Sequence, residues 1–88
     1  MATRIYVGDL SPAATDQDLF ALFRPYGAVT ECAVALDQRS GQCRGFGYVQ
    51  MPDDRAALAA IAGLDGHQLD YRPMRVSVAD PRGGPASG

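Results

Sequence analysis

The chain has 88 residues, of which 47% are hydrophobic, and a formal net charge of −2. A chain of this length supports one domain with a small core. No apolar run approaches the roughly 18–20 residues of a membrane span, and the N-terminus lacks a signal-peptide pattern, so we expect a cytoplasmic protein. The negative charge argues against a protein that binds polyanions through bulk positive charge.

The first predicted strand is RIYVGDL, close to the N-terminus. Ile5 and Val7 alternate with Tyr6, which is the pattern of a strand that buries one face. A glycine and an aspartate follow and predict the end of the strand.

A helix is predicted next, because Thr15 is a candidate N-cap and Asp18 stands three residues later, as in a capping box. An apolar stripe at helical spacing follows, formed by Leu19, Leu22 and Phe23. Phe20 lies beside this stripe, and we expect it to fill the margin between helix and sheet. Pro25 and Gly27 end the helix.

The second strand, VTECAVAL, is followed by a turn-rich loop, DQRSGQC. The residues of this strand alternate between two faces. Cys32, Val34 and Leu36 point inward, and Glu31, Ala33 and Ala35 point outward. Cys32 and Cys43 are too far apart along the predicted hairpin for a disulfide, so both are expected to be free thiols.

The octapeptide RGFGYVQM, residues 44–51, is the most informative stretch of the chain. Residues i and i+2 of a strand share a face, so Phe46 and Tyr48 should stand side by side. Gly45 and Gly47 then lie on the opposite face. Since glycine weakens a strand, we expect both to permit close approach of a packed helix or a strongly twisted strand.

A second helix is predicted to begin at Pro52 and Asp53. Its core face consists of four apolar residues: Ala57, Ala60, Ile61 and Leu64. Leu58 lies off this face and, like Phe20, is expected at the margin between helix and sheet.

The C-terminal part begins with the loop DGHQLDYRP, which has room for a small hairpin. The last strand, MRVSVAD, also alternates, with Met74, Val76 and Val78 inward and Arg75, Ser77 and Ala79 outward. Residues 81–88 offer nothing to bury and predict a disordered tail, which leaves residues 1–80 as the domain.

The predicted element order is β-α-β-β-α-β. Two helices are too few to cover both faces of a small four-stranded sheet, so they should pack on one face. The open face then carries Tyr6, Phe46 and Tyr48. Three aromatic rings on the solvent side of a sheet indicate a binding surface.

Two stretches of the chain resemble the signatures of the RNA recognition motif family. The octapeptide matches the family's first signature, and IYVGDL, on the first strand, is similar to its second. The chain further resembles small single-domain bacterial RNA-binding proteins. All eight of its basic residues are arginine, which favours a GC-rich bacterial genome.

The resemblance implies an α+β, ferredoxin-like fold with a four-stranded antiparallel sheet and two helices on one face. It further implies that single-stranded RNA bases stack on the open face and that Arg44 meets a phosphate. The implied RNA-binding residues are Arg4, Tyr6, Arg44, Phe46, Tyr48, Gln50, Arg75 and Ser77. We expect weaker binding of single-stranded DNA, a monomer, and no membrane, cofactor or metal.

Protein binding and catalysis are the two alternatives to RNA binding. The same sheet face, or the helical back face with Phe20 and Leu58, could bind a protein. An enzyme is not expected, because the chain has one histidine, no phosphate-binding loop and no metal-ligand spacing.

Overall fold

The computed structural model describes residues 2–69 and 72–79 of the chain. The first five elements follow the predicted order: β1 (Thr3–Gly8), α1 (Asp16–Phe23), β2 (Glu31–Leu36), β3 (Cys43–Met51) and α2 (Asp54–Leu64). Three short strands follow: β4 (Gln68–Leu69), β5 (Arg72–Pro73) and β6 (Arg75–Val78). The predicted tail, residues 81–88, and the domain boundary at residue 80 lie outside the described residues.

Four strands form one antiparallel sheet in the order β2-β3-β1-β6. Strands β4 and β5 form the small hairpin expected between α2 and β6. Side chains of both helices join those of the sheet in one buried core cluster. The predicted ferredoxin-like fold, with both helices on one face, is confirmed. Neither helix of the described residues is long and apolar enough to cross a membrane.

Both helices begin where side-chain caps satisfy their first backbone N–H groups. Thr15 Oγ1 accepts a hydrogen bond from the Asp18 backbone at 3.2 Å, and Asp18 Oδ2 accepts one from the Thr15 backbone at 3.0 Å, so the predicted capping box is present. Asp53 caps α2 by accepting a hydrogen bond from the Arg55 backbone at 2.9 Å. Pro25 follows the end of α1 in a single 3₁₀ turn.

Strict alternation along the strands mispredicts three side chains. Leu36 and Val78, predicted to point into the core, are 56% and 41% exposed, whereas Ala79, predicted outward, is 8% exposed. Leu36 follows a register shift that begins after Val34, and Val78 ends an edge strand. Alternation predicts burial only where strand pairing is regular and where the strand has a paired neighbour on each side.

The helical face of the molecule exposes two large apolar side chains, Phe20 at 45% and Leu58 at 58%. The expectation that both fill the margin between helix and sheet is therefore wrong. Each directly follows a fully buried residue, Leu19 or Ala57. Successive residues of an α-helix are rotated by about 100°, which carries these two side chains away from the sheet.

Glycine is required at two positions of the octapeptide, and the structural reason differs between them. At Gly47, a Cβ atom would lie 2.6 Å from the Ala33 carbonyl oxygen and 3.1 Å from Leu19 Cδ1, so close approach is confirmed there. At Gly45 a Cβ atom would meet nothing nearer than 3.9 Å, so close approach of a helix does not explain this glycine. Gly45 instead has φ +101°, at the bulge of β3, which a residue with a side chain rarely adopts.

On each of the two outer strands of the sheet, one outward backbone N–H group is bonded by a carboxylate of the chain itself. Asp16 Oδ1, in the first turn of α1, accepts a hydrogen bond from the Val34 backbone of β2 at 2.8 Å. Asp65 Oδ1, just after α2, accepts one from the Val76 backbone of β6 at 3.0 Å. Each helix end therefore binds one free edge of the sheet.

Both cysteines are free thiols, as predicted. Cys43 is buried, and Cys32 lies half-buried with its Sγ atom 3.2 Å from the Asp16 carbonyl oxygen. Burial, with a smaller contribution from the Asp16 carboxylate, raises the pKa of the Cys32 thiol to about 11. Cys32 therefore remains a neutral thiol at physiological pH.

Candidate nucleic-acid interface

Strand pairing places seven of the eight predicted binding residues in three rows across the open face. Residues directly opposite each other on paired strands point to the same side of the sheet. Arg4 lies opposite Gln50 in the first row, Tyr6 opposite both Tyr48 and Ser77 in the second. In the third row, Gly8 separates Phe46 from Arg75. Arg44, the eighth residue, is exposed at the start of β3.

The three aromatic rings form one contiguous cluster, which we call the aromatic platform (Tyr6, Phe46 and Tyr48). The ring centroids of Tyr6 and Phe46 are 6.2 Å apart with planes 19° from parallel. Tyr48 stands edge-on to both, at 5.8 Å from Tyr6 and 6.1 Å from Phe46. All three are partly exposed, so the predicted arrangement of rings on the solvent side is confirmed.

Gly8 supports the platform, although the sequence suggested only that it ends the first strand. A Cβ atom at Gly8 would lie 2.7 Å from Tyr6 Cε2 and 3.0 Å from the Tyr6 hydroxyl oxygen. The Tyr6 ring thus lies along its own strand, over the backbone of Gly8. A glycine two residues after an exposed aromatic residue is the sequence signal that could have revealed this role.

The Tyr6 phenol is held in its neutral form. Burial, then the neighbouring Tyr48 and Asp9, raise the pKa of Tyr6 above its ordinary value of 10.0. The hydroxyl group therefore keeps its proton throughout the physiological range and can donate a hydrogen bond to a ligand on the platform.

A small recess lies beside the platform, on the side of β2. Its volume is about 70 Å³, and its outward-facing side chains are Arg4, Glu31, Ala33, Tyr48 and Gln50. The Arg4 guanidinium carbon lies 4.8 Å from the centroid of the Tyr48 ring, within the range of a cation–π interaction. The RNA-binding residues predicted from the sequence include Arg4 and Gln50 but not Glu31 and Ala33.

Arginine side chains flank the opposite end of the platform. Arg75 lies in the row of Phe46, and Arg44 and Arg39 are exposed near the loop between β2 and β3. Asp37 orders this loop by accepting hydrogen bonds from the Arg39 and Ser40 backbones at 2.8 and 3.1 Å. Those two bonds, with Arg44 as a smaller cause, lower the pKa of Asp37.

The described part of the chain contains no group of three or more histidine, cysteine, aspartate or glutamate residues that could hold a metal ion. The open face instead combines flat aromatic surfaces with arginine guanidinium groups at their border. Such a surface can stack planar rings and pair with anions.

Comparison with known proteins identifies the family. The family model for the RNA recognition motif matches residues 5–75. Glycine-rich RNA-binding protein 1 of Mycosarcoma maydis is 43% identical over 88 residues, which is the whole chain but only 49% of that protein. The cyanobacterial protein RbpD of Nostoc sp. strain PCC 7120 is 45% identical over 78 residues, which cover 89% of this chain and 83% of RbpD.

A solved structure supports the same assignment. The structure of the Sxl-lethal protein/RNA complex superposes with a TM-score of 0.85 and 31% sequence identity, covering 96% of this chain and 50% of that one. The family match runs from within β1 to the first residue of β6, so it includes both helices and the strands β2 and β3. The chain therefore belongs to the RNA recognition motif family.

Proposed function

We propose that the protein binds single-stranded RNA by stacking bases on the aromatic platform. The observation that carries this proposal is that Tyr6, Phe46 and Tyr48 lie in mutual contact on the side of the sheet away from the helices. Rings on this side of the sheet do not contribute to the buried core. Unpaired bases have flat faces of similar size that can stack on them.

The arrangement of charges supports a nucleic acid as the ligand. Arg44 and Arg75 border the platform at one end and are exposed, so their guanidinium groups can pair with phosphates while bases lie on the rings. Ser77 pairs with Tyr6 across the two strands, and the hydroxyl groups of both residues can bond sugar hydroxyls or base edges. The 2′-hydroxyl of RNA adds contacts that DNA lacks, which favours RNA over single-stranded DNA.

The relatives support the same ligand. The Mycosarcoma maydis relative is named an RNA-binding protein, and the Sxl-lethal structure is a complex with RNA. Because the chain spans about half of each of these proteins, what they bind bears on this chain through the shared domain. We infer a binding domain without catalytic activity that acts as a monomer.

A competition experiment tests the proposal. We expect fluorescently labelled single-stranded RNA to bind, and an unlabelled single strand to displace it far better than a duplex of the same sequence. Bases in a duplex are already stacked and paired, so they cannot reach the rings. Fluorescence anisotropy measures both competitors.

A sheet face used for protein binding would give the opposite result. In that case neither RNA would bind, and a partner recovered from lysate would stay bound after nuclease treatment. It would dissociate when Tyr6 is replaced by alanine.

The salt dependence of binding should be shallow. The phosphate partners available among the described residues are Arg4, Arg39, Arg44 and Arg75, and Asp9, Glu31 and Asp37 oppose them. We expect a dissociation constant of about a micromolar and roughly one to three phosphate contacts. The logarithm of the association constant should fall by about 0.7 for each contact per tenfold rise in salt concentration. Anisotropy titrations from low to moderate salt measure this slope. A slope that demands many more contacts would contradict this placement of charges.

A further inference from the structure

The row of the sheet that begins at Glu31 places a carboxylate beside the aromatic platform, which RNA stacking alone does not explain. Glu31 on β2 lies directly opposite Gln50 on β3, which lies opposite Arg4 on β1. The three side chains border the recess of about 70 Å³ beside Tyr48. A carboxylate at the border of a surface that binds a polyanion repels phosphates, so its presence there calls for another ligand group.

We propose that this recess is a subsite for a guanine base, whose Watson–Crick edge is read by the Glu31 carboxylate. The inference rests on the proposed function, because it requires single-stranded RNA on the platform. It adds a base preference, which stacking on aromatic rings does not supply.

The recess adjoins the aromatic platform, so a base next to a stacked one would lie over it. Ala33 lies opposite Tyr48 on the neighbouring strand, and its side chain is a single methyl group. This leaves the floor of the recess low and apolar, with the Tyr48 ring as one wall. Glu31 precedes Ala33 by two residues and points to the same side of the sheet, so its carboxylate lies at the end of that floor.

The chemistry of the border selects among the four bases. A carboxylate only accepts hydrogen bonds and has two oxygens side by side, so it pairs best with two adjacent donors. Guanine presents N1–H and the N2 amino group next to each other on its Watson–Crick edge. Adenine and cytosine offer one amino group beside an acceptor, and uracil offers one imino group between two acceptors. Each of these three would bring an acceptor against the carboxylate.

Gln50 and Arg4 complete the match. The Gln50 amide both donates and accepts, and it lies directly opposite Glu31. The Arg4 guanidinium donates only, and it lies against the Tyr48 ring at the same border, where it can donate to the guanine O6 atom. The charges also orient the strand, since its phosphates are drawn toward Arg44 and Arg75, away from Glu31.

The test scans one guanine through an oligonucleotide of eight uridines and measures the affinity at each position by anisotropy. At one position we expect guanine to bind about ten-fold more tightly than uracil, as a good bidentate base contact provides. Inosine, which lacks the N2 amino group, should lose most of this gain. Glu31→Gln should remove the preference for guanine while the affinity for the all-uridine strand stays equal or increases slightly.

Asp9→Asn is the matched control. It removes the same charge near the platform, and asparagine tolerates the left-handed backbone at this position, where φ is 57°. This variant should bind all oligonucleotides slightly more tightly and keep the preference for guanine.

Two results would overturn the guanine subsite alone. They are a parent protein that binds the all-uridine strand but gains nothing from guanine, and a Glu31→Gln variant that keeps the full gain. A parent protein that binds no oligonucleotide overturns the proposed function together with the subsite.

Discussion

Replacing Tyr48 by alanine, or Phe46 by alanine, should weaken the binding of single-stranded RNA by about 1–3 kcal/mol, because each ring offers one stacking surface. The ring centroids lie about 6 Å apart in the free protein, so a base stacked on one ring would also reach its neighbour. The Tyr48 variant also removes the ring against which the Arg4 guanidinium lies, at 4.8 Å from its centroid. Anisotropy titrations at one fixed salt concentration measure both losses.

Phe20→Ala provides the matched control, because Phe20 is an exposed phenylalanine on the helical face, 45% accessible. Its loss should leave RNA affinity unchanged. The platform variants should unfold at nearly the same urea concentration as the parent, since their rings are not part of the buried core. Unchanged RNA affinity in the double variant of Phe46 and Tyr48 would contradict stacking. A double variant that does not fold would contradict the assignment of the two sheet faces.

The largest effect on stability is expected at Gly47. A Cβ atom there would lie 2.6 Å from the Ala33 carbonyl oxygen and 3.0 Å from Val34 Cα, and both are backbone atoms that cannot move without disturbing the pairing of β2 with β3. Overpacking of this kind costs about 1–3 kcal/mol, so Gly47→Ala should lower the urea midpoint of unfolding at an unchanged slope. Gly47 also lies between Phe46 and Tyr48, and we expect RNA affinity to fall with stability.

Gly41→Asn separates this steric effect from the general loss of a glycine. Gly41 has φ +74° in the loop before β3, and a Cβ atom there would meet nothing within 4 Å. Asparagine tolerates this backbone region, so the midpoint should change little. If Gly47→Ala is as stable as Gly41→Asn, β2 and β3 are not held as closely together as the structure indicates.

Local patterns were sufficient to predict the elements of this fold. Alternation identified the long strands, and the capping box at Thr15 marked the start of α1 within one residue. The separation of core from open face followed from the same alternation, since Phe46 and Tyr48 lie two residues apart in a regular part of β3. These features depend only on residues that are close in sequence, so the local sequence pattern is sufficient to predict them.

The features that escaped prediction depend on contacts between distant residues. The bulge that gives Gly45 its positive φ is a mismatch between β2 and β3, and alternation within either strand does not show it. The position of Glu31 beside Gln50 and Arg4 depends on the register of three strands. Sequence alone places Glu31 on the outward face of the second strand and does not identify its neighbours on the other strands.

The carboxylates at the two outer strands should lower the tendency of this domain to aggregate at high protein concentration. A free strand edge is a template on which a second molecule can add its own strand, and such growth leads to aggregation. Here Asp16 and Asp65 already bond the outward N–H groups of Val34 and Val76, so an incoming strand would have to break an existing bond at each position. Concentrated solutions of this domain should therefore be less prone to fuse their sheets into a common fibre than a domain with bare strand edges.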